Sequence, residues 1–177
     1  MRIIYLPYEI YTREVVGYLY IAEKLISEGV ADRVYVGSKL VLGQLARRGF
    51  LPPGVWFLKS AQKYILNFLR FLKKRGFKII LQDIEAVSTF DQSEEIDLFM
   101  KAKSCRDLCD AIFASTNAEY EGLVQDGESD KLSLIGGLRF YTFFDDRLKK
   151  SIQKIKNQKR LLFISSATSM RMHKTYS

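Results

Sequence analysis

Short runs of β-branched and aromatic residues return along this chain at intervals filled by segments of helical period, and that alternation restricts the fold more than any other feature. Ile3-Ile4-Tyr5-Leu6, Val34-Tyr35-Val36, Val55-Trp56-Phe57-Leu58, Ile79-Ile80-Leu81, Ala111-Ile112-Phe113-Ala114, Leu132-Ser133-Leu134-Ile135 and Leu161-Leu162-Phe163-Ile164 read as strands. The segments between them, about 13–28, 38–48, 61–75, 94–105, 117–124 and 145–156, read as helices. Strands that alternate with helices form βαβ units, in which right-handed crossovers stack helices on both faces of a parallel sheet. The expected fold is therefore a Rossmann-like α/β domain with a mostly parallel sheet. No G-x-G-x-x-G follows the first strand and no P-loop motif occurs, so the fingerprints of dinucleotide and nucleoside-triphosphate sites are both missing.

Two helices carry specific expectations. For the first, Val15, Leu19, Ala22 and Ile26 share a face, Thr12 is the expected N-cap and Gly29 the stop. In the segment 61–75, Ala61, Ile65, Phe68 and Leu72 form the apolar stripe, with Lys63, Arg70 and Lys74 opposite. Such charges ordinarily make a solvated face. Leu66 and Phe71 widen the apolar surface, however, so docking of Lys63, Arg70 and Lys74 on anionic lipid is the competing expectation.

Strand ends are where an open parallel sheet binds ligands, so the polar residues that close each apolar run are the candidate site. After Ile79-Ile80-Leu81 come Gln82, Asp83 and Glu85. Carboxylates there can act as a general base or bind sugar hydroxyls; alternatively, Asp83 caps a turn and Glu85 faces water. Glu9, Arg13 and Glu14 follow the first strand and read either as ligand contacts or as an ion-pair cluster where the first helix begins. Gly136-Gly137 with Arg139 closes the sixth run, suited to a tight turn or to close approach of a phosphate or carboxylate.

Composition removes other classes. Among 177 residues, Cys105 and Cys109 are the only cysteines and His173 the only histidine, which fits neither a zinc site nor a histidine-based triad. The cysteines are expected to be reduced packing residues. No metal and no bound cofactor are expected. The formal net charge of +8 attracts anions without choosing among nucleotides, nucleic acid and membrane lipid. No nucleic-acid-binding motif is present, so nucleic acid is not an expected partner. With no signal-peptide layout and no apolar run of about 18 residues, a cytoplasmic protein is expected, with peripheral attachment to the inner membrane face as the refinement.

The order of these strand-end residues resembles a known group. Leu6-Pro7-Tyr8-Glu9 with Arg13-Glu14, Gly37-Ser38, Lys59-Ser60, Asp83 with Glu85-Ala86, and Gly136-Gly137 with Arg139 resemble the successive motifs of the bacterial surface-carbohydrate biosynthesis family. That family is related to capsule Kdo transferases and to the glycerophosphotransferases of teichoic acid synthesis. Ile84 stands where the family has a second acid. The resemblance implies the N-terminal half of a GT-B glycosyltransferase, the side that holds a glycan or glycolipid acceptor. It implies Glu85 and Asp83 as catalytic carboxylates, Glu85 as the base. Glu9, Arg13, Ser38, Ser60, Gly136, Gly137 and Arg139 would contact substrate. The domain is expected over 1–158, with 159–177 as the first strand and stub of a second domain. A sugar-nucleotide donor would need the complete two-domain form, supplied by a separate chain if at all. The alternatives are a non-catalytic binding or scaffold module of the same pathway and, last, a nucleic-acid binder.

Overall fold

The computed structural model describes residues 1–82 and 102–136. In order, these hold β1 (Ile3–Tyr8), α1 (Tyr11–Ser27), β2 (Arg33–Ser38), α2 (Lys39–Arg47), β3 (Val55–Leu58), a 3₁₀ turn (Lys63–Ile65), α3 (Leu66–Lys74) and β4 (Lys78–Gln82). After the undescribed segment come α4 (Lys103–Arg106), β5 (Ala111–Ala114), α5 (Asn117–Gln125), a 3₁₀ turn (Ser129–Lys131) and β6 (Leu132–Leu134). The expected strands at 3, 34, 55, 79, 111 and 132 all form. The expected strand near 161, the helix at 145–156 and most of the helix at 94–105 lie outside the described residues.

All six strands run parallel in one sheet of order β2-β1-β3-β4-β5-β6. The chain builds outward from β1 to β2, then crosses back over β1 to β3 and continues the other way. With right-handed crossovers, that reversal puts α1 on one face and the later helices on the other. The buried clusters agree with this. Tyr18 and Ala22 of α1 pack with Leu6, against Val34 and Val36. Leu42 and Ala46 of α2, Leu69 and Leu72 of α3 and Leu123 of α5 pack with Tyr5, Trp56, Ile79 and Ile112 on the second face. The reversal leaves a crevice at the carboxyl ends of β1 and β3, the place where open α/β sheets receive ligands.

The helices differ from expectation in ways that packing explains. Helix α1 starts at Tyr11, and Ile10, at its N-cap, offers no side-chain cap. Glu14 reaches back instead: its Oε2 accepts the Glu9 N–H at 2.8 Å. The buried line is Val15, Tyr18 and Ala22, whereas Leu19 and Ile26 are exposed. Both lines have helical period, and the choice between them was made when α1 docked over β1 and β2. In the segment 61–75 the first turn is 3₁₀ and Leu69, not Phe68, fills the core. Thr116 and Glu119 form a reciprocal cap for α5: the Thr116 hydroxyl accepts from Glu119 N–H at 3.2 Å, and Glu119 accepts from Ser115 N–H at 2.9 Å.

Gly54 precedes β3 where the backbone crowds β1. A Cβ there would lie 2.6 Å from the Ile3 carbonyl oxygen and 3.0 Å from Tyr5 Cε2. Tyr5 cannot swing away, because it is fully buried, stacked against Tyr35 and Trp56, and its hydroxyl donates to the Pro52 carbonyl. Burial also pushes the Tyr5 hydroxyl up to about 12. Gly54→Ala is therefore expected to destabilise the chain by about 1–3 kcal/mol, the usual range for overpacking. A urea midpoint unchanged from the parent would refute this account of the β1–β3 contact.

Candidate functional site

The carboxyl edge of the sheet gathers charge at the crevice between β1 and β3. Glu9 follows β1, Lys39 follows β2 and Lys59 follows β3, so each projects from the end of an apolar run. Lys39 Nζ donates to Glu9 Oε1 at 2.6 Å, and Lys59 Nζ approaches Glu9 Oε2 at 3.3 Å and Glu14 Oε1 at 3.0 Å. Glu14 comes from the first turn of α1, and its other oxygen holds the Glu9 backbone. The four side chains form a chain of alternating sign, Glu14–Lys59–Glu9–Lys39, with no net formal charge.

That chain has a buried inner pair and a more exposed outer pair. The side chains of Glu14 and Lys59 are 1% and 9% exposed, while those of Lys39 and Glu9 are 29% and 33% exposed. The inner pair is therefore a fixed support, and the outer pair meets solvent at a small cleft floored by Pro7, Phe57 and Leu58. Partial burial pulls the Glu9 carboxyl upward, but the hydrogen bonds and charges of Lys39 and Lys59 outweigh it and hold the group below its ordinary value. Beside the cleft, Lys39 Nζ sits 5.8 Å over the ring of Tyr64, a residue 71% exposed.

The other expected positions divide into several groups. Ser38 closes β2 and occupies the N-cap of α2, half-buried, with no side-chain cap hydrogen bond. Ser60 is buried directly after Lys59. Gly136 closes β6 at φ +79°, and its carbonyl accepts from Gln82 Nε2 at 2.9 Å, so the ends of β4 and β6 meet at the same edge. Gln82 is fully buried, and its Oε1 has no hydrogen-bond partner among the described residues. The backbone of Arg13 lies in α1, and its side chain is not described. Asp83, Glu85, Gly137 and Arg139 lie outside the described residues.

Lys39 and Lys59 were not among the expected contacts, although Lys39 adjoins Ser38 and Lys59 adjoins Ser60. The usable signal was a lone lysine placed directly after a strand. Glu9 and Glu14 do join an ion-pair cluster, and the cations described there come from other strand ends, 25 or more residues away in sequence.

Lys63, Arg70 and Lys74 are exposed as expected, but the apolar flank imagined for them is not. Leu66 and Phe71 are half-buried and pack against the core. Cys105 and Cys109 are buried free thiols, and burial pushes Cys109 up to about 12. Among the described residues, no group of three or more His, Cys, Asp and Glu side chains is placed to hold a metal, and no helix is long and apolar enough to cross a membrane.

Comparison with known proteins finds no matching family model, curated protein or solved structure.

Proposed function

We propose that this chain is the acceptor-side domain of a surface-polysaccharide glycosyltransferase-like protein, working at the inner face of the membrane and inactive without a second domain. The observation that carries the reading is the neutral Glu14–Lys59–Glu9–Lys39 chain at the switch-point crevice. Among the described residues the site has as many carboxylates as ammonium groups and so does not single out an anion or a cation. It offers acceptors and donors side by side, which suits the hydroxyl rim of a sugar, while the exposed Tyr64 ring suits the C–H face of the same ring. Glu9 is a weak base because two ammonium groups stabilise its ionised form. It is accordingly assigned to acceptor binding. The base is assigned to Glu85, with Asp83 beside it, in the segment that follows the carboxyl end of β4.

The same depressed Glu9 favours a second reading, a non-catalytic glycan-binding module of the pathway. The two readings separate on transfer. GT-B chemistry depends on two domains holding donor and acceptor together, so an acceptor-side domain by itself is expected to transfer nothing from CMP- or UDP-sugars in either case. If the first reading holds, adding the chain that supplies the second domain restores transfer.

Acceptor binding is tested directly by saturation-transfer NMR with neutral and Kdo-terminated oligosaccharides. Glu9→Gln removes a charge-assisted contact worth about 1.5–3 kcal/mol, so binding is expected to weaken by at least about tenfold. Parent chain that binds no oligosaccharide, or a Glu9→Gln variant that binds as the parent does, would remove the basis for the reading.

A further inference from the structure

A second surface lies at the opposite edge of the sheet and rests on no part of the sugar-binding reading. Helices α2 and α3 both run from the carboxyl edge toward the amino edge, and cations and rings interleave along their seam. Lys39 sits over Tyr64 at 5.8 Å, Arg47 over Phe68 at 5.0 Å and Arg75 over Phe71 at 5.9 Å. Phe68 and Phe71 stack on each other with centroids 6.3 Å apart. The two arginines are thus fixed on a paired aromatic base and are not free to sweep through solvent.

At its amino-edge end the seam collects positive charge. Arg47, Arg48, Lys74 and Arg75 lie on the last turns and caps of the two helices. A Cβ built on Gly49 would stand 3.3 Å from an Arg75 guanidinium nitrogen, which brings the α2 cap against the α3 cap. None of the four cations has an ion-pair partner among the described residues, although neighbouring Lys73 is paired with Asp110 at 2.8 Å. Phe50 projects beside them, 69% exposed, immediately after Gly49.

We propose that this patch, Arg47, Arg48, Lys74 and Arg75 around Phe50, docks on a bilayer surface of anionic phospholipid. Fixed guanidinium groups match headgroup phosphates in paired hydrogen bonds, and an exposed phenylalanine among them enters the acyl boundary. The chemistry of single-stranded nucleic acid fits less well. Its binding grooves present successive open rings for base stacking, whereas Phe68 and Phe71 are half-buried beneath arginines and separate the open Phe50 from the open Tyr64 at the other end of the seam. The patch differs from the Lys63/Arg70/Lys74 face: it shares only Lys74, and α2 supplies half of it.

The test is flotation of the full chain with vesicles of phosphatidylcholine alone or mixed with phosphatidylglycerol. Each surface cation near anionic lipid contributes about fivefold, so Arg48→Gln with Lys74→Gln is expected to weaken binding roughly thirtyfold. Neither of those side chains caps a ring, so the variant keeps the seam. Phe50→Ser is expected to cost about a further tenfold. Lys63→Gln, outside the patch, is expected to cost less than either cation of the pair. Raising salt from about 0.1 to about 1 M shortens screening from about 10 to about 3 Å and is expected to release the parent chain. Three results would overturn the proposal: no binding to the anionic vesicles, parent-level binding by the double variant, or tighter binding to poly-uridine than to vesicles. Oligosaccharide binding by the same samples is expected to be unchanged, so loss of one surface leaves the other readable.

Discussion

Replacing Arg106 with methionine is expected to lower the stability of the chain by about 3–5 kcal/mol, because it breaks a buried ion pair from one side. Arg106 is 2% exposed in α4, and Glu128, 3% exposed, lies in the turn between α5 and β6. Arg106 Nε donates to Glu128 Oε1 at 3.1 Å and its Nη2 to Asp126 Oδ2 at 2.7 Å. Lys131 completes the network, 2.8 Å from Glu128 Oε2 and donating to the Arg106 carbonyl at 2.9 Å. Methionine retains the packing of the stem and removes the charge, so the loss reads as electrostatics. Urea denaturation measures it, and a midpoint shift equivalent to under about 1 kcal/mol would refute the assignment. Adding Glu128→Leu to Arg106→Met is expected to recover part of the loss, since an apolar replacement of a whole buried pair is often neutral.

The same network sets an acid limit. Burial raises the Glu128 carboxyl, but the hydrogen bonds and charges of Lys131 and Arg106 prevail and leave it below its ordinary value. A carboxyl depressed in the folded state contributes stability that is full above its unfolded value and disappears as pH falls through its folded value. Stability is therefore expected to decline below about pH 4.5, less steeply in the Arg106→Met variant.

Lys59→Met is expected to have an effect of similar size, about 3–5 kcal/mol, and to abolish glycan binding as well. One ammonium, nine-tenths buried, serves Glu9 and Glu14 together, and removing it takes from both carboxylates the cation they share. Adding Glu14→Gln is expected to restore much of the stability, because the amide still accepts the Glu9 N–H and no longer carries charge. Glycan binding is not expected to return with it, since Glu9 has still lost its inner donor. Thermal unfolding and oligosaccharide titration on both variants separate the two roles. A double variant no more stable than Lys59→Met would refute the shared-cation account.

Much of this was legible in the sequence because period and punctuation are local. A run such as Ile79-Ile80-Leu81 has nowhere to be but between two covered faces, and glycines such as Gly29, Gly49 and Gly76, all at positive φ, stop helices where the apolar stripe ends. The strand positions, the parallel class and the polar edge at Glu9, Ser38, Ser60 and Gly136 all follow from such signals. Which face of a helix is buried does not. Val15 and Ala22 belong equally to the line through Leu19 and to the line through Tyr18, and only the docking of α1 on Leu6, Val34 and Val36 chose Tyr18.

Neighbours across the sheet were decided by tertiary structure alone. The order β2-β1-β3 brings Glu9, Lys39 and Lys59, each directly after its own strand, into one ion-pair chain. The docking of α2 against α3 likewise brought Arg47 over Phe68, whereas Arg75 over Phe71 is an i, i+4 contact within α3 and its cap. Period specifies where a side chain points within its own element. Pairing across tens of residues depends on the packing of whole elements, and no local spacing records it.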